Sequence, residues 1–304
     1  PYTLQYNYDE YRWFAIETNF TDTVYISKIE VIAGLDQIVH HADISYDLSG
    51  ISMTNDLNDP LPGFNQNTGS PNYSYYMNAW QPGGNIATYP AGWGIAVPPG
   101  ADFVIEIHYG PGGIGLTDST VMHLQFVQET ENVLPVQVCW LLYDSPPVLL
   151  DGPLVIPANQ EVSFHQQSAP LSEDLSFVSI CPHMHFLGKS YKVWATTPMG
   201  DTIPLIDIPN WDFHWQKYYT FQQVQVLPAG SVLHSEGWYD NTVNNHDNPS
   251  NPPQTVYRGS TTFDEMFLCY FTYANYKEGD ENIIMDSSLV SIPGFEVADV
   301  DVQV

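Results

Sequence analysis

Proline and glycine interrupt this chain so often that no stretch is left for a long helix. The 304 residues include 24 prolines and 21 glycines. Between them lie short runs rich in β-branched and aromatic residues: TVYISKIEVIAG (23–34), DFVIEIHYG (102–110), STVMHLQFV (119–127), KSYKVWATT (189–197) and SVLHSEGWYD (231–240). Runs of this kind, bounded by Gly, Pro, Asn and Asp, read as strands. No amphipathic helix longer than three turns is expected. The pattern predicts an all-β chain organised as sandwiches.

A chain of this length exceeds what one core usually organises, so two domains of roughly 150 residues are expected. An internal echo points the same way. PPGADFVIEIHYG (98–110) and LPAGSVLHSEGWYD (227–240) share a Pro-containing turn, a glycine, an extended run and a tyrosine nine residues after that glycine, Gly100 to Tyr109 and Gly230 to Tyr239. Two related β domains would produce it. The Pro- and Gly-rich stretch YDSPPVLLDGP (143–153) places the boundary near residue 147. The expectation is two tandem jelly-roll-like β-sandwiches, 1–147 and 148–304.

Charge removes several function classes. With 35 acidic against 7 basic residues, the formal net charge is -28. Binding to a phosphate backbone or an anionic membrane surface is not expected, and the acidity reads first as a solubilising surface. No run of 18 apolar residues exists, so no membrane span is expected. No charged-then-apolar leader opens the chain, which reads as a mature or trimmed product. Two acidic stretches, DLNDP (56–60) and DNTVNNHDNPSNPP (240–253), offer calcium-type oxygens, but neither matches an EF-hand loop. Three cysteines, Cys139, Cys181 and Cys269, form no CxxC pair and no disulfide scaffold; one bridge with a thiol left over and three buried thiols both remain open.

The histidines are more specific. In CPHMHFLGK, His183 and His185 are two apart, and on an extended chain they share a face. Two imidazoles converging on one ion need that spacing, although half-buried strand histidines often serve only as satisfied polar groups. In IVHHADISY (38–46), His40 and His41 are adjacent. A regular strand would turn them to opposite faces, so they reach one ion only at a bulge or a strand end. His108 closes an apolar strand at the turn HYGPGG, a rigid position with an open tip. Where the internal echo would place a second His108, the chain has Trp238. Met266, in TTFDEMFLCYFTY (261–273), is the candidate to complete the second set. Its thioether is a soft ligand suited to Cu(I), or else it fills a gap in the core.

Paired histidines, then HYG, then HMHFLGK, then DEM, in this order, resemble the copper type II, ascorbate-dependent monooxygenases, the family of peptidylglycine α-hydroxylating monooxygenase and dopamine β-monooxygenase. Bacterial secreted relatives look closer still, through YPAGWGIAVPPGADFVIEIHYGP, NWDFHWQKYY and YDNTVNNHDNPSNPP. The resemblance spans roughly residues 30 to 275. It implies two coppers per chain, one on His40, His41 and His108, the other on His183, His185 and Met266, in separate sandwich domains facing a solvent-filled cleft. It further implies that the methionine-bearing copper activates dioxygen and the all-histidine copper stores and delivers an electron.

Some positions depart from the family. Cys181 stands where the peptide hydroxylase carries an arginine that pairs with the substrate carboxylate, and Leu268 replaces a helpful asparagine, while a tyrosine is kept as Tyr270. Without the arginine a bidentate carboxylate clamp is missing, so a glycine-extended peptide is a poor candidate substrate. The dense disulfide set of the animal enzymes is also absent. His123, His165, His214, His234 and His246 have no ligand role in the family. His214 is a candidate support for the second site, and Asp264 and Glu265 are candidates to orient a metal-bound imidazole or, equally, to serve an ordinary turn. No HExxH, GxSxG or P-loop occurs, and Cys181 as a thiol nucleophile beside a copper-bound His183 is a poor reading. The expected protein is a secreted, periplasmic or cell-surface monomer. It would hydroxylate a C–H bond of a small or peptide-like substrate with O2 and a one-electron reductant such as ascorbate. The alternative is a non-catalytic copper-binding or cell-surface module on the same scaffold.

Overall fold

The computed structural model describes residues 1–65, 74–84, 86–128 and 132–285, together with the backbone of 302–303. It is all-β, and each sequence run named above forms a strand: Val24–Ile32, Asp102–Tyr109, Val121–Phe126, Gly188–Thr196 and Val232–Asp240. Ile51–Asn58, eight residues long, is the one α-helix among the described residues. No helix there is long and apolar enough to cross a membrane. The chain divides into two compact units, Pro1–Val138 with Asp286–Val304, and Cys139–Met285. The Pro- and Gly-rich stretch 143–153 lies inside the second.

In the first unit one sheet runs, in spatial order, Glu10–Ile16, Asp102–Tyr109, Val39–Asp47 and Ser74–Trp80, with every neighbour antiparallel. The other is centred on Val24–Ile32, flanked by Trp93–Val97 and Val121–Phe126. Phe20 stands edge-on to Phe103 of the first sheet and to Phe126 of the second, at 6.0 and 5.9 Å. Along Asp102–Tyr109 the pleat sends Phe103, Ile105 and Ile107 to one side and Glu106 and His108 to the other. Arg12, 3% exposed, holds the helix and the loop after it. It donates to Asp59 Oδ1 at 2.7 Å and to the carbonyls of Pro62, Leu61 and Gly63.

In the second unit one sheet has the order Gln137–Leu142 (within the unit from Cys139 on), Leu268–Asn275, Leu175–His183, Tyr219–Leu227, and the other Glu161–Gln167, Val232–Asp240, Gly188–Thr196, Thr202–Ile208. One apolar core joins them, with Phe177, Ile180, Cys269 and Phe271 from the first and Phe164, Tyr191, Val193, Leu233 and Tyr239 from the second.

The internal echo has a structural counterpart. Ala101 N–H donates to Pro98 O and Ser231 N–H to Pro228 O, each closing a four-residue turn. Gly100 and Gly230 sit at φ 75° and 84°, the left-handed region in which glycine alone carries no steric penalty. Tyr109 and Tyr239 end fully buried.

Candidate metal centres

The first candidate centre forms where three strands of one sheet meet. His41 lies directly opposite His108, and Val39 opposite Tyr109, so His40 is the extra residue of a β-bulge. A bulge sets two residues against one, which lets adjacent histidines serve one point. The three rings gather with centroids 4.9 to 5.4 Å apart. His40 Nδ1 lies 3.2 Å and His108 Nδ1 3.4 Å from His41 Nδ1. A tetrahedral ion with metal–imidazole bonds of roughly 2.0–2.1 Å would set its donors about 3.3 Å apart. The spacing therefore fits one transition-metal ion. One proton cannot serve all three nitrogens as a cation does. Among the described residues this is the single group of three or more His, Cys, Asp or Glu whose ligand atoms cluster within 4.8 Å.

Two neighbours that the sequence did not single out complete the centre. His108 is 1% exposed, and its Nε2–H donates to Asp9 Oδ1 at 2.9 Å. That bond holds the Asp9 carboxyl below its usual range; a carboxylate only accepts, so in the neutral imidazole the His108 proton sits on Nε2. The lone pair is then on Nδ1, the atom that faces the other rings. Tyr11, opposite His108 on the other side, stacks on its ring at 4.1 Å and 9°. One rung along the same face, Asp43 lies opposite Glu106. Burial raises the Asp43 carboxyl to about 7 and, with the Asp43 charge, holds that of Glu106 well above its ordinary value.

The second candidate centre lies at the end of Leu175–His183. The extended run expected through His185 stops at His183, and His185 falls in the turn that follows. Met184 between them is buried in the core. The two imidazoles are 5.0 Å apart and nearly perpendicular at 87°. His183 Nδ1–H donates to Gln216 Oε1 at 2.6 Å, and His185 Nδ1–H to the carbonyl of Asp264 at 3.0 Å. Both rings thus carry the lone pair on Nε2, fixed by acceptors behind them. Gln216 is 6% exposed.

Two expectations change here. His214 does not support His183; it is an exposed ring beside Asp212, and its neighbour Gln216 takes that place. Asp264 orients His185 through its backbone carbonyl rather than its carboxylate. The Glu265 carboxylate orients the backbone instead, accepting the N–H groups of His185 (2.9 Å), Leu187 (2.7 Å) and Met266 (3.3 Å). Burial pushes Glu265 up to about 8, against these three bonds that favour the carboxylate.

Met266 is half-buried, and its backbone N–H bonds the same Glu265 Oε2 as the backbone N–H of His185. Tyr270 lies opposite Cys181, and Leu268 opposite His183. Cross-strand partners share a face, so Tyr270, Cys181 and Leu268 stand beside His183. Trp140 meets the Tyr270 ring edge-on at 5.7 Å.

Three of the remaining histidines have local partners, and His246 is exposed. His123 bonds Glu30, His165 bonds Asp151, and His234 bonds Thr196 and stacks on Trp194. In DLNDP, Asp56 accepts the N–H groups of Ala15 and Gly63, and Asp59 pairs with Arg12. In 240–253, Asn241 donates to the carbonyls of Ile156, Pro157 and Gln254. These acidic and amide side chains tie loops together. Cys139, Cys181 and Cys269 are free thiols, the last two buried.

No protein-family model matches the chain, and no curated protein does. Among solved structures it aligns with infectious bursal disease virus proteins. The VP2 subviral particle aligns at 9% identity and TM-score 0.25, over 90% of this chain and 70% of that one. The Gt strain structure gives 9% and 0.19, over 90% and 74%, and the Gx strain structure 8% and 0.23, over 90% and 77%. At such scores the alignments carry no argument about function.

Proposed function

We propose that the chain is a copper-dependent monooxygenase that hydroxylates a C–H bond with dioxygen and an external one-electron reductant such as ascorbate, and that it works in a secreted, periplasmic or cell-surface setting. The observation that carries this reading is the convergence of His40, His41 and His108 at a bulge, with Asp9 behind His108. The second imidazole pair, with its own acceptors, supports it. Imidazoles suit either copper oxidation state, and a thioether favours Cu(I).

Bound copper would supply one-electron transfer and the reduction of dioxygen. The balance is one oxygen atom into the C–H bond and the other released as water, with two protons and two electrons taken from the reductant. Asp9 holds the His108 tautomer, and Gln216 and the Asp264 carbonyl hold those of His183 and His185. Tyr270 offers a hydroxyl on the face that carries His183. Cys181 and Leu268 beside it are uncharged, so that face has no carboxylate clamp at these positions and suits a substrate without a carboxylate anchor.

The test is copper loading followed by oxygen-electrode measurements with ascorbate. The expected result is about two coppers per chain, from the two ligand sets, and reductant-dependent oxygen uptake that Met266→Ile abolishes. A second reading, a non-catalytic copper-binding module, is favoured by the single complete cluster of His, Cys, Asp or Glu ligands among the described residues. One copper per chain with no oxygen uptake would select it.

A further inference from the structure

Three consecutive backbone carbonyls in the second unit each accept a hydrogen bond from a different side chain. The Tyr239 hydroxyl donates to Met266 O at 2.8 Å, Gln166 Nε2 to Phe267 O at 2.6 Å, and the Tyr191 hydroxyl to Leu268 O at 2.9 Å. The donors stand on three adjacent strands of one sheet, and the acceptors form the segment by which the chain enters the other. Met266 and Phe267 precede the strand, which begins at Leu268. Their carbonyls are outside the ladder and need partners from elsewhere. The Ser235 hydroxyl donates to Gln166 Oε1 at 2.6 Å, which fixes the amide with its nitrogen toward Phe267.

The same segment is held from its other side. Glu265 accepts the Met266 N–H, so both backbone polar groups of Met266 are bonded. Phe267 is fully buried, its ring centroid 5.0 Å from that of Tyr191. It lies so close over Gly237 that a Cβ there would come within 2.6 Å of Cε2. A methionine side chain has three rotatable bonds, and ordering it costs entropy. A ligand of that kind gains from a backbone that does not move.

We infer that Tyr239, Gln166 and Tyr191 are positioning residues for the His183–His185–Met266 set. They fix the Met266–Leu268 backbone, and with it the start of the strand that carries Tyr270. The inference rests on the copper reading above. Burying three polar side chains in a sandwich core is costly unless each is bonded, and their acceptors are the carbonyls of the segment that bears the proposed ligand.

The experiment compares Tyr239→Phe and Tyr191→Phe with Tyr109→Phe, a control that removes an equally buried hydroxyl, bonded to Asp118, from the first unit. The copper-loaded, reduced protein is read by X-ray absorption for a copper–sulfur component and by chelator competition for Cu(I) affinity, alongside melting temperature. The wild type should show the copper–sulfur component. Tyr239→Phe should lose much of it and weaken the second-site affinity about tenfold, the order seen when outer-shell partners of metal ligands are removed. Tyr191→Phe should act in the same direction, while Tyr109→Phe should lower the melting temperature and leave the signal intact. Gln166→Met supplies the third donor's test if either tyrosine variant fails to fold. A wild-type copper–sulfur signal that survives every folded variant would overturn the positioning role and leave the ligand assignment standing. Absence of the signal from the wild type would overturn the ligand assignment and the positioning role together.

Discussion

His41 and His108 face each other across two antiparallel strands with their Nδ1 atoms 3.4 Å apart, and the far nitrogen of His108 is bonded to Asp9. A proton on His108 Nε2 leaves a lone pair pointed at His41. With His40 beside them, the pair forms a cluster whose spacing could hold a metal ion.

Asp9 is therefore expected to tune the first centre without touching the ion. Asp9→Asn keeps the shape but weakens the hold on the Nε2 proton. Metal affinity at His40, His41 and His108 should fall about 10- to 100-fold, the usual cost of losing such a partner. Chelator competition on the wild type and the variant measures it, and unchanged affinity would remove Asp9 from the centre.

Gln216 plays the corresponding part in the second centre. Gln216→Leu removes the acceptor of the His183 Nδ1–H, and second-site affinity should drop by about tenfold or more. His214→Ala, two residues away, should change neither affinity nor stability, because that ring is exposed. The reverse ranking would mean that the His183 tautomer is set some other way.

The Asp43–Glu106 pair predicts an unusual pH dependence for the metal-free protein. Both carboxyls have folded values raised above those of the unfolded chain. Between about pH 4 and 7 the native state therefore holds protons that the unfolded chain has lost, and stability falls as pH rises through that window. Its contribution is complete below the unfolded values and is lost as pH climbs through the folded ones. Urea midpoints across this range, with a chelator present, should decline toward pH 7. Asp43→Asn with Glu106→Gln should flatten the decline, and an unaltered slope would refute the assignment.

Arg12 predicts a stability effect with no metal readout. Its guanidinium serves Asp59 and three carbonyls while almost wholly buried. Arg12→Met strands those acceptors and should cost about 3 kcal/mol, the scale for breaking a buried pair. Chemical denaturation should show it, and metal affinity of the protein that remains folded should be unchanged.

Strand class, the paired Pro–Gly turns and the histidines that gather in the candidate cluster, His40, His41 and His108, were legible in the residues themselves. Alternation and turn chemistry act over two to four positions, so TVYISKIEVIAG or PPGAD carries its own instruction. Even the bulge at His40 was foreshadowed, because adjacent histidines cannot share a face on a regular strand. Partnership was not legible. Asp9 reaches His108 across 99 positions of sequence, and Tyr239, Gln166 and Tyr191 come from three separate strands to meet Met266, Phe267 and Leu268. Choosing Gln216 over His214 behind His183 depended on which side of a loop faced the sheet. Local pattern sets which way a side chain points. Register and sheet packing set what it points at, because only the folded chain brings distant donors and acceptors to bonding distance.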